Sequence, residues 1–132
     1  MAIPFSIVDA GETAAVVLLR SAETDAWMQE LAAFLGFPVA AFVRASAGGF
    51  TVRLFAPAAE LDVSGTGLAA AAHALWHAEL VAPTQPVTAL TRNGVLVATR
   101  QGARVEVAQD GQALFTTGLP RTVARGELTW PP

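Results

Sequence analysis

A chain of 132 residues fits one domain and is long enough to bury a core, and with 53% hydrophobic and only 14% charged residues it is too apolar to be disordered. Its net charge is -3 and its basic residues are scattered arginines with no lysine, so it lacks the concentrated basic face that nucleic-acid binding requires. With no cysteine there is neither a disulfide framework nor a thiolate nucleophile, which fits the cytoplasm. The sequence shows no signal-peptide pattern, and no apolar run approaches the roughly 18 residues of a membrane span.

Residues 3–8 and 14–19 read as strands joined by a short turn at Gly11. Thr24 or Asp25 caps a helix over residues 25–35, in which Trp27, Leu31, Phe34 and Leu35 recur at helical spacing and Gly36 marks the stop. Residues 40–44 and 50–55 form a hairpin around Ser46, Gly48 and Gly49, ended by Pro57. Residues 64–80 (SGTGLAAAAHALWHAEL) predict a helix capped by Ser64 or Thr66. It is apolar nearly all round, which predicts enclosure, and its small side chains let neighbours approach closely. Beyond Pro83 and Pro86 the pattern is all strand: residues 87–91, 94–99, 104–108 and 113–117, broken at Asn93-Gly94, Gln101-Gly102 and Asp110-Gly111. A last hairpin is expected from residues 119–123 and 127–130 around Gly126. The result is a single α+β domain over residues 1–132: a meandering antiparallel sheet or barrel wrapped round one central buried helix, with a second helix outside.

Several strings resemble one lobe of the PhzF-like (phenazine biosynthesis PhzC/PhzF) family, relatives of diaminopimelate epimerase. FSIVDA at residues 5–10 followed by AAVVLL resembles the family's opening hairpin, and Met28-Gln29 with Leu31-Ala32 its first helix. Val52-Arg53-Leu54-Phe55-Ala56-Pro57 is similar to the next hairpin. Glu60 to Gly65 followed by Ala70-Ala71-Ala72-His73-Ala74-Leu75 is similar to the central segment, and GELTW near Gly126 to the end of a lobe. The resemblance implies a diaminopimelate-epimerase-like lobe and an isomerase ancestry. Family members have two such lobes with the active site between them, and this chain has the length of one.

The departures bear on chemistry. The family's general acid/base Glu corresponds to Val39, and the Cys or His of its central motif corresponds to Ser64 and Thr66. The G-N-P motif of the first hairpin is missing. Proton abstraction next to a carbonyl needs a base within hydrogen-bond reach, and Val cannot be one. The catalytic residues are therefore unassigned, with Asp62 and Ser64 as the candidates. Glu60 and Asp62 precede the helix and could act as acid and base, or simply complement its positive end. Glu12, in the shortened first loop, could substitute for the missing Glu.

The candidate ligand site is Ser64, Gly65, Thr66 and Gly67. Glycines at a helix N-terminus expose N–H groups to an anion, and the resemblance implies a substrate carboxylate there. The competing reading is that Ser64 caps the helix and the glycines give packing room. His73 and His77 share a helix face at zinc-binding spacing, but two ligands make no site and no H-E-x-x-H motif accompanies them. No metal or cofactor is expected, and Trp27, Trp76 and Trp130 read as core or interface aromatics. A lone lobe would expose the apolar seam where its relatives join two, so a symmetric homodimer is expected. Two functions follow. One is a non-catalytic or catalytically diverged homodimer that binds a small carboxylate or phosphate. The other is an isomerase or related lyase acting on a small carboxylated metabolite at a cleft formed by dimerisation. Neither nucleic acid nor membrane is an expected partner.

Overall fold

In the computed structural model, which describes residues 2–11, 13–19 and 24–131, the central strands bury both faces, and that decides the architecture. In β1 (Ala2–Ala10), β2 (Thr13–Leu18), β3 (Val39–Ser46) and β4 (Gly49–Phe55), alternate side chains enter two different cores. Val8, Val17, Ala41, Val43, Val52 and Leu54 face one core, while Ile3, Val16, Leu18, Phe42 and Phe55 face the other. A strand buried on both sides reads as a continuous apolar run, which is why residues 15–18 and 39–43 show little alternation in the sequence.

The inner core is filled by α2 (Gly65–His77), with Leu68, Leu75, Trp76 and the run Ala69 to Ala72 buried. Alanine forms helix readily and lets strands come close on every side. The sheet wraps around it in the order β10-β1-β2-β3-β4-β6-β7-β8-β9, with a two-residue β5 (Glu60–Leu61) pairing β4. The remaining strands are β6 (Val87–Thr91), β7 (Gly94–Gln101), β8 (Arg104–Gln109), β9 (Gln112–Gly118) and β10 (Arg121–Thr129). Helix α2 contacts strands from both ends of that order, β1 and β10 as well as β8 and β9. The outer core lies beneath α1 (Asp25–Leu35), whose Met28, Leu31 and Ala32 are buried against Phe42 and Phe55. Thr24 caps α1, its Oγ1 accepting from Trp27 N–H at 3.1 Å. Gly36 ends it in the left-handed conformation (φ 73°), a region other residues enter at a cost. Each large apolar side chain buried in these cores contributes about 1.5–3 kcal/mol.

The α+β class and the buried central helix are as expected, and four details differ. The sheet is mixed: β2 pairs β3 and β4 pairs β6 in parallel. Parallel neighbours need a long crossover, and α1 and α2 supply the two. The expected hairpin around Gly126 is one strand, β10, lying antiparallel along β1. Gly126 sits opposite Phe5 there, and a Cβ on it would stand 3.2 Å from the Phe5 ring, so the glycine makes room for an aromatic and does not turn the chain. Helix α2 stops at His77, three residues early. Glu79 takes a left-handed φ of 60° and the Leu75 carbonyl accepts from Leu80 N–H at 3.0 Å. Finally, β5 was not foreseen.

Candidate functional site

The N-terminus of α2 is positioned by its neighbours on β3, β4 and β9. Pairing of β5 with β4 fixes the approach of the chain, and Ser64 then takes an extended conformation (φ -148°, ψ 114°) as the cap. Its Oγ accepts from Gly67 N–H at 3.0 Å, and its carbonyl accepts from Leu68 N–H at 2.9 Å. A cap of this kind is worth about 1 kcal/mol. No intrahelical carbonyl can reach the N–H groups of Gly65 and Thr66, which are the donors left at the helix end.

Both glycines are required by packing. A Cβ on Gly67 would stand 2.8 Å from Val39 Cγ1 and 2.9 Å from Leu54 Cδ2. A Cβ on Gly65 would fall on the Phe115 side chain, 2.5 Å from Cδ1 and 2.7 Å from Cβ. Val39, the position where the family resemblance implies the acid/base Glu, thus sits directly against the helix end, buried and aliphatic. Phe115, half-buried on edge strand β9, lies over Gly65. Sequence reasoning missed Phe115, since it lies about 50 residues from the helix end in sequence and only the curl of the sheet brings it there.

The acidic candidates are committed elsewhere. Glu60 accepts from Arg53 Nε at 2.6 Å and Nη2 at 2.8 Å, and Arg92 Nη1 stands 3.0 Å from the same carboxylate. Arg53 also reaches Asp25 at 3.0 Å, and Asp62, largely exposed, pairs with Arg92 at 3.6 Å. The guanidinium of Arg53 is held well above its ordinary pKa, chiefly by the hydrogen bond to Glu60 and then by Asp25, against some loss from burial. This Asp25–Arg53–Glu60–Arg92–Asp62 chain ties α1, β4 and β5 to the turn between β6 and β7, and it commits all three carboxylates to arginines. Glu12 lies outside the described residues.

Further along α2, His73 Nε2 and His77 Nδ1 both contact the Thr122 hydroxyl of β10, at 3.0 and 2.9 Å. A hydroxyl has one proton, so it donates to at most one of the two rings and accepts from the other. The His73 imidazole is pushed below its ordinary pKa by burial first, then by His77 and Arg100. Among the described residues no group of three or more His, Cys, Asp or Glu side chains converges as a metal site would need. Trp76 is buried and donates to the Gln85 carbonyl at 2.9 Å, Trp27 packs edge-on to Phe42, and Trp130 lies against Phe34. No helix among the described residues is long and apolar enough to cross a membrane.

The chain matches the family model PhzC-PhzF, phenazine biosynthesis-like protein, over residues 7–124. It is 33% identical over 114 residues to an uncharacterised isomerase of Halalkalibacterium halodurans, a match covering 81% of this chain and 43% of that protein. The solved structure of a PhzF-family phenazine biosynthesis protein from Enterococcus faecalis superposes with a TM-score of 0.75 at 26% identity, covering 81% of this chain and 44% of the other. A hydroxyproline epimerase from Agrobacterium vitis shares the fold alone, at 16% identity and a TM-score of 0.61, over 85% of this chain and 39% of the epimerase. The chain therefore spans under half the length of the relatives it matches.

Proposed function

This chain belongs to the phenazine biosynthesis-like (PhzC-PhzF) protein family, and from that premise we propose that it is a catalytically diverged lobe that binds a small carboxylate or phosphate. The ligand takes the Gly65 and Thr66 N–H groups, the two left over after Ser64 caps Gly67. The observation that carries the reading is Val39: at the position where the family resemblance implies the base, the side chain is buried, aliphatic and in contact range of Gly67. A helix end without a base can hold an anion but cannot abstract a proton.

The lobe works as a symmetric homodimer. Val63, beside the helix N-terminus, and Leu114, next to Phe115 on β9, are 44% and 53% exposed. Exposed apolar side chains at the rim of a site favour cover by a second copy. The relative named as an isomerase favours a second reading, in which the dimer cleft catalyses isomerisation of a small carboxylated metabolite with an acid/base group from the other copy.

Two measurements test this. Light scattering at micromolar concentration is expected to give twice the chain mass, and a monomer refutes the dimer. Amide NMR during a malonate or phosphate titration is expected to shift Gly65 and Thr66 saturably. Resonances there that stay put refute the anion site.

A further inference from the structure

At the opposite end of α2 from Gly65 there is a second concavity, a cleft of about 310 Å³ between β1, β10, the end of β2 and Ala78, the C-cap of α2. That volume is at the lower end of the range for small-molecule sites. Register shows which side chains share its face. Ser6 lies opposite Arg125 and Pro4 opposite Glu127, while Phe5 opposite Leu18 puts Leu19 beside Pro4, where Leu19 N–H donates to the Pro4 carbonyl at 3.1 Å. Positions i and i+2 of a strand point the same way. Pro4, Ser6, Leu19, Arg125 and Glu127 therefore share the inner face, at the mouth that α2 leaves unfilled by ending at His77.

Three observations at this mouth bear on what it could hold. Ser6, the buried polar side chain of the described residues, is only 7% exposed and lines this cleft, and no side-chain hydrogen bond from it to another described residue is found. A hydroxyl at the floor of a cleft with no protein partner keeps its hydrogen bond for water or for a ligand. Arg125 and Glu127 flank it, two residues apart on one face, and neither forms an ion pair among the described residues. The C-terminal end of α2 faces the same space and carries the negative end of the helix dipole.

We propose that this cleft binds a small zwitterion with an apolar body, of the α-amino acid class. Its carboxylate lies against the Arg125 guanidinium and accepts from the Ser6 hydroxyl. Its ammonium lies between the Glu127 carboxylate and the end of α2, and its side chain covers Pro4, Leu19 and Ala78. The site is independent of the one at Gly65, since it uses the other end of the helix and other strands.

The test is an amide NMR titration of the intact chain with L-leucine, and separately with isovalerate and isoamylamine, which carry only the carboxylate or only the amine. L-leucine is expected to shift the Ser6, Arg125 and Glu127 amides with a saturating millimolar isotherm, each half-probe binding about ten-fold more weakly or worse. Arg125→Gln, at an exposed position that should not disturb folding, is expected to weaken L-leucine by about ten-fold, and Ser6→Ala by less. The proposal is overturned if those amides do not shift saturably, if the shifts fall at Gly65 and Thr66 instead, if Arg125→Gln binds as well as the parent, or if isovalerate matches L-leucine.

Discussion

Replacing Gly65 by Ala tests whether Phe115 truly closes the helix end. The backbone of Gly65 is in a region any residue adopts, so alanine there meets no conformational strain and gains up to about 1 kcal/mol of helix preference. Against that gain, the new methyl would sit 2.5 Å from Phe115 Cδ1 and 2.7 Å from its Cβ. Relieving such overlap requires the ring to leave its rotamer or β9 to shift, at about 1–3 kcal/mol. The net expectation is a loss of up to about 2 kcal/mol. In a Phe115→Gly background both the ring and its Cβ are gone, and the same substitution should be neutral or stabilising by about 0.5 kcal/mol. The coupling between the two sites is then up to about 2 kcal/mol, at the upper side of what touching residues show. Urea unfolding of the four proteins, followed by tryptophan fluorescence and circular dichroism, measures it. Equal costs for Gly65→Ala in both backgrounds would refute the contact, and with it the account of why a glycine occupies that position.

Two further outcomes follow from the charged and titrating groups. His73 has a folded-state pKa below its unfolded value near 6.5, so as pH falls through that value the unfolded chain takes up the proton first. Stability is therefore full above about pH 6.5 and declines with acid until the folded-state pKa is passed; His73→Gln should flatten that slope in unfolding experiments run from neutral to mildly acidic pH. Arg53→Gln removes the fork that holds Glu60 and Asp25 together, and is expected to cost about 1 kcal/mol, kept small because Asp25 is open to solvent. Raising the salt concentration should erode part of that difference, and a salt-independent loss would assign it to packing instead.

The strands and both helices were legible because each is written in local terms: apolar runs bounded by Asn93-Gly94, Gln101-Gly102 and Asp110-Gly111, and the caps Thr24 and Ser64 three residues before the N–H groups they accept from. What local patterning cannot express is which strands end up side by side. The parallel pairs β2–β3 and β4–β6 are consequences of the helices that intervene, and Gly126 reads as a turn until Phe5 is seen lying over it. The candidate site divides in the same way. The Ser64 cap and its glycines are a contiguous string, and Val39 was found through the family resemblance. Phe115 and Thr122 meet α2 from strands whose only link to it is the curvature of the sheet.

The pairing of β1 with β10 joins segments roughly 110 to 130 residues apart in sequence, Ala2 opposite Thr129 and Asp9 opposite Arg121. The antiparallel neighbours β1–β2, β3–β4, β6–β7, β7–β8 and β8–β9 are joined through turns and can form early, whereas this one waits for the whole intervening chain. On a translating ribosome β1 therefore emerges with one edge unsatisfied and keeps it so until β10 has left the exit tunnel. Throughout that interval the row of free backbone groups is open to any other extended chain nearby, including the β10 of a neighbouring nascent copy. This ladder is therefore expected to close last, and any strand exchange at high concentration is expected to begin from it.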